Sequence, residues 1–166
     1  MKQENLEISV LARLKKLSQE RTEDYQLILI RYAIERFLYR LSCSKHQDSF
    51  ILKGAMLLLA HNNIGYRPTR DLDLLGFGIE PDSALKRIIR EICIEDVPND
   101  AVSYLPETIT IMDIREESEY EGKRVKLQAH IGKARITIQI DIAFGDAVFP
   151  EPERICNYNK VYCHLN

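Results

Sequence analysis

Apolar positions recur at helical spacing in the first quarter of the chain and at a period of two in its later half. That change of period divides the sequence. Leu6, Val10, Leu14 and Leu17 predict a helix from Asn5 to Leu17, with Lys15 and Lys16 on its other face. Ser18 to Arg21 reads as a polar break, and Thr22 as the N-cap of a second helix with Glu23 and Asp24 in its first turn. Tyr25, Ile28, Tyr32, Phe37 and Leu41 mark that helix's apolar face. A short apolar run, Phe50 to Lys53, stops at Gly54, and Ala55 to His61 is helical by propensity. Residues 62–69 hold Gly65 and Pro68 and read as a turn-rich connection, followed by alternation over Arg70 to Leu74. Gly76, Gly78 and Pro81 close this strand, and Ser83 is the expected cap of a helix carrying Leu85, Ile88, Ile89, Ile92 and Ile94. Three further strands are predicted over Glu107–Ile114, Lys123–His130 and Ala134–Ala143, the last two joined by the tight Ile131-Gly132-Lys133. The expectation is an α+β fold: a mixed or antiparallel sheet packed on one face by helices. An N-terminal helical segment covers 1–45, the core 46–150, and a short extension beyond Pro150 and Pro152 covers 151–166.

The composition narrows the function. The 166 residues are 45% hydrophobic and 29% charged, enough for a core that needs neither disulfide nor structural metal. A net charge of −2 excludes a uniformly basic nucleic-acid binder but not a local basic patch. No run of about eighteen apolar residues spans a bilayer, and the N-terminal text is not a secretory signal. Cys43, Cys93, Cys156 and Cys163 contain no CxxC, so reduced cysteines and a cytoplasmic protein are expected. Cys156, Cys163 and His164 make only a weak case for a metal cluster.

The strand periodicity separates two faces. Ile136, Ile138, Ile140 and Ile142 share one, while Arg135, Thr137, Gln139 and Asp141 share the other. Leu72 and Leu74 point inward and Asp71 and Asp73 outward; Val125 and Leu127 oppose Arg124, Lys126 and Gln128. One face is thus a core, and the other carries Asp71, Asp73 and Asp141 with basic residues nearby. Carboxylates two apart on a strand can come within about 5 Å, where they repel by roughly 3 kcal/mol at an effective dielectric of 20. A proton, an arginine or a divalent cation must offset that repulsion. An oxygen-rich set favours Mg²⁺ or Mn²⁺ over zinc. An isolated Asp-x-Asp is more often a solvated face; the combination with Leu52-Lys53-Gly54-Ala55, where a glycine opens a helix whose amides can meet a phosphate, raises the case.

A Gly and a small residue opening a helix, an Asp-x-Asp on the next strand and one Asp on a later strand resemble the DNA polymerase β-like nucleotidyltransferase superfamily. The local text of Phe50–Ala55, Arg67–Leu74 and Ile138–Asp146 resembles the AbiEii/AbiGii abortive-infection toxin family. The resemblance implies a nucleotidyltransferase-like fold and Mg²⁺- or Mn²⁺-dependent transfer of a nucleoside monophosphate from a nucleoside triphosphate to a hydroxyl. For some members the acceptor is tRNA, and a cognate antitoxin neutralises the toxin. It places Asp71 and Asp73 on both metal ions and Asp141 on the ion that activates the hydroxyl. Gly54 and Ala55 would meet the triphosphate through backbone amides. Lys53, Arg67 and Arg70 are the expected phosphate contacts by charge and position, and Thr69 is expected to help shape the same loop. Lys126, Lys133 and Arg135 are candidates for an RNA-facing patch. Ala55 stands where the superfamily commonly has Ser or Gly, which removes a hydroxyl contact but leaves the amide. The family continues into a helical C-terminal half that this sequence is expected to lack. The alternative is therefore a catalytically impaired member that only binds nucleotide, RNA or antitoxin.

Other chemistries find less support. An aspartyl-phosphate phosphatase would want Thr or Val two residues after the second Asp, where Leu75 stands. There is no Walker A or GxGxxG sequence for a P-loop or Rossmann site.

Overall fold

The computed structural model describes residues 2–60, 69–78, 81–115 and 121–145. Helix α1 (Lys2–Arg21) runs through the stretch whose polar text reads as a break. Ser18 to Arg21 contains neither Gly nor Pro, and Lys16 pairs with Glu20 at 3.6 Å one turn on, so the helical backbone bonds continue. The chain turns at Thr22, whose φ is 55°. Asp24, rather than Thr22, caps α2 (Tyr25–Cys43), its carboxylate accepting the Leu27 N–H at 2.9 Å.

Strand β1 (Phe50–Lys53) passes directly into α3 (Gly54–Ala60), followed by β2 (Asp71–Gly76) and α4 (Asp82–Cys93). Pro81 occupies the N-cap position of α4, so Ser83 lies inside its first turn. Then come β3 (Ser103–Arg115), β4 (Glu121–Ile131) and β5 (Ala134–Phe144). Strand β3 begins earlier than its alternation suggests because Pro106 falls at a register shift between Leu105 and Thr110. There the Thr108 hydroxyl donates to the Leu105 carbonyl at 2.6 Å and accepts the Gln128 N–H at 3.0 Å, so its side chain bridges the two strands across the irregularity.

The five strands lie in the order β1-β2-β5-β4-β3. The expected meander, β3 to β5, is antiparallel, as is β1 with β2. The β2–β5 pair is parallel and makes the sheet mixed. Ile136, Ile138, Ile140 and Ile142 are at most 1% exposed. Each contributes about 1.5–3 kcal/mol of burial, so a one-residue slip of β5 is strongly disfavoured. Helix α2 covers β5, α4 covers β3, and α1 packs on α2. Met56 of α3 enters the same core.

A buried polar cluster ties α2 to the chain before β3. Arg40 forks onto Asp100 (Nη1–Oδ2 2.7 Å, Nη2–Oδ1 3.1 Å), and Arg36 Nε donates to the same Oδ2 at 2.7 Å. Tyr32 Oη donates to the Asp100 carbonyl at 2.9 Å, and Tyr104 Oη to the Ala33 carbonyl at 2.6 Å. Burial would raise the Asp100 carboxyl, but the hydrogen bonds and charge of Arg40, with those of Arg36, hold it below the usual carboxylate range. Cys43 is exposed and Cys93 buried, both as free thiols. No helix among the described residues is long and apolar enough to cross a membrane. Arg67, Asp146, Cys156, Cys163, His164 and the 151–166 extension lie outside the described residues.

Candidate active site

The polar face of the central parallel pair brings the three aspartates together. Asp71 is the register partner of Gln139, and Asp73 that of Asp141. Neighbouring strands run about 4.8 Å apart, so residues more than sixty positions apart in sequence become lateral neighbours. The inward Leu72 and Leu74, 0% and 2% exposed, hold the aspartates on the outward side. Strand pairing extends this into one row: Lys53 on β1, Asp73 on β2, Asp141 on β5, Arg124 on β4 and Met112 on β3. A second row places Asp71 beside Gln139, Lys126 and Thr110.

Gly54 sits over this row. Its φ is +67°, and a Cβ built there would overlap the Asp73 carboxylate, with 2.9 Å to Cγ. Glycine is thus required twice, for the left-handed backbone and for the room the aspartate takes. Ala55 follows as a half-buried residue at the start of α3. The Thr69 hydroxyl donates to the Asp71 carbonyl at 3.0 Å and receives the Asp71 N–H at 3.4 Å, so Thr69 shapes the start of β2. Arg70 is exposed beside it.

The electrostatics are uneven. Desolvation, and then the charge of Asp141, raise the Asp71 carboxyl, although Arg124, Arg70 and Lys126 oppose the shift. Desolvation also raises Asp73, followed by the charges of Asp141 and Asp71, against Lys53. Asp141 is held differently. Arg124 Nε donates to Oδ1 at 2.9 Å and Nη2 to Oδ2 at 2.7 Å, and Gln139 Nε2 reaches Oδ2 at 3.4 Å. As the side chains stand, among the described residues no three His, Cys, Asp or Glu groups are disposed to hold one metal ion. The donor chemistry nevertheless suits a hard divalent cation: the three acids are carboxylates on one partly solvated face, and two have raised proton affinity.

The periodicity of β4 places Arg124 on the right face but does not point to its partner. Only the register of β4 against β5 makes it the clamp on Asp141. Gln139 differs: strand alternation alone puts it on the Asp141 face two residues away, and only its place beside Asp71 comes from the β2–β5 pairing.

The resemblance to nucleotidyltransferases implied a glycine opening a helix, an Asp-x-Asp on the next strand and one Asp on a later strand; here that later strand, β5, is the parallel neighbour of β2. Residues 36–158 match the family model of the nucleotidyl transferase AbiEii toxin of type IV toxin–antitoxin systems. The match covers well over half of the chain, which belongs to this nucleotidyltransferase toxin family. No curated protein matches the chain significantly.

Proposed function

We propose that the chain is a metal-dependent nucleotidyltransferase that moves a nucleoside monophosphate from a nucleoside triphosphate to a hydroxyl acceptor, with tRNA the candidate acceptor. It would act as the toxin partner of a cognate antitoxin. The observation that carries the reading is the lateral pairing of Asp73 with Asp141, with Asp71 two residues away on the same face. In this reading Asp71 and Asp73 hold the cations and Asp141 joins them beside the attacking hydroxyl. Bound Mg²⁺ or Mn²⁺ would supply neutralisation of triphosphate charge and a lower pKa for that hydroxyl.

The acceptor oxygen bonds to the α-phosphorus, the bond to the bridging oxygen breaks, and pyrophosphate leaves with its electron pair. The hydroxyl proton passes to the carboxylate face or to water. The backbone N–H groups of Gly54 and Ala55 meet the triphosphate, since Gly54 has no side chain between its backbone and Asp73. Lys53, the register partner of Asp73, and Arg70 add positive charge around the phosphates, and Arg67 is assigned with them by its place in the motif.

The test is incubation of the purified chain with Mg²⁺, total tRNA and each of the four labelled nucleoside triphosphates. Label should enter RNA with wild type and not with Asp71→Ala or Asp141→Ala. Absence of product with every nucleotide, together with absence of nucleotide binding, would overturn the reading.

A further inference from the structure

The three aspartates of the site are not treated alike by the fold. Among the described residues the Asp71 and Asp73 side chains make no ion pair; Arg124, Arg70 and Lys126 act on Asp71, and Lys53 on Asp73, through charge without contact. Asp141 is gripped by both nitrogens of a guanidinium fork, at 2.9 and 2.7 Å. The grip is set by the backbone: Arg124 and Asp141 are register partners of adjacent antiparallel strands. Their side chains are 37% and 20% exposed, so the pair is open to competitors from solution. A bidentate guanidinium occupies the same edge of a carboxylate that a chelated cation uses.

The geometry points to Arg124 as a built-in stand-in for the divalent cation on Asp141, a positioning residue that competes with the metal for the third carboxylate. For Asp141 to share an ion with Asp71 and Asp73, the guanidinium must give up at least one of its two contacts. The inference rests on the metal-dependent reading of the same three carboxylates and adds a gate to it. Until Arg124 moves, the face presents two crowded acids and one neutralised acid. After it moves, three acids face one cation and a guanidinium is released beside them.

The test is Mn²⁺ binding by the full chain, read from the electron paramagnetic resonance signal of free Mn²⁺ without nucleotide. Arg124→Gln should tighten Mn²⁺ by about two- to fivefold, the scale of a partly exposed ion pair. Arg124→Lys, which keeps the charge but loses the fork, should fall between wild type and Arg124→Gln. Lys126→Gln removes a nearby charge without touching Asp141 and should change affinity less. In an Asp141→Asn background the gain from Arg124→Gln should shrink to that of Lys126→Gln, the part carried by charge on Asp71 alone. Circular dichroism checks that each variant is folded.

Unchanged or weaker Mn²⁺ binding in Arg124→Gln would overturn the gate while leaving the metal site standing, as would a gain that survives Asp141→Asn in full. If neither wild type nor Arg124→Gln binds Mn²⁺, the metal reading itself has failed and the gate falls with it. Binding by Arg124→Gln where wild type shows none would support both.

Discussion

Gly54 and Asp73 occupy one space: the backbone of the first residue of α3 lies where any side chain would run into the Asp73 carboxylate. Gly54→Ala therefore combines a left-handed backbone penalty of about 1–2 kcal/mol with a displaced aspartate. The expected result is a lower melting temperature and nucleotidyl transfer reduced by at least about 100-fold, the scale of losing one well-placed electrostatic group. Calorimetry and the labelled-nucleotide assay check the two effects. Wild-type transfer rates in Gly54→Ala would show that the close approach has no role in the chemistry.

Asp141→Asn keeps the shape of the third carboxylate and removes its charge. Because the Arg124 pair is partly exposed, the stability cost should stay under about 1 kcal/mol. Activity should fall by about 100-fold or more. The diagnostic is this split between an almost unchanged denaturation midpoint and lost transfer. A matching loss of both would make Asp141 a structural residue.

Asp73 carries a raised proton affinity, so the folded, metal-free chain binds its proton more tightly than the unfolded chain does. The sign follows: stability of the metal-free chain rises as pH falls through the raised folded value toward the ordinary carboxylate value near 4, and gains nothing more below it. Asp73→Asn should remove part of this dependence. At neutral pH it should raise the metal-free melting temperature, because a carboxylate that is unfavourably ionised in the fold is replaced by a neutral amide. Mn²⁺ affinity of the wild type should weaken through the same window, because protons compete for the carboxylates. A pH-independent affinity would remove Asp71 and Asp73 from the ligand set.

Asp100 behaves in the opposite sense. Despite burial, Arg40 and Arg36 hold its carboxyl low, so its stabilising contribution is complete above about pH 4 and is lost as pH falls through the depressed folded value. Asp100→Asn leaves Arg40 buried against a neutral partner and should cost about 3 kcal/mol at neutral pH. Urea denaturation from pH 7 down to pH 2 measures both. A variant as stable as wild type would show that the cluster contributes only orientation.

Much of the candidate site was legible because strand alternation is a local property. Leu72 and Leu74 against Asp71 and Asp73, and the four isoleucines against Asp141, assign faces from their own neighbours in the chain. Helix ends were less legible. Thr22 and Asp24 are both good capping residues, and the choice between them depended on where α1 stopped.

Fold class and the inward and outward faces of the strands were thus legible in the sequence alone, since alternation and helical period rest on spacing within one segment, and the three motifs were legible through their resemblance to the nucleotidyltransferase family. The tertiary structure decided which segments lie side by side. It made β2 and β5 parallel neighbours, set Asp73 opposite Asp141, placed Gly54 over the carboxylate and gave Arg124 its partner. The physical reason is that register between distant strands is settled by the shared core beneath them. No single segment carries that information.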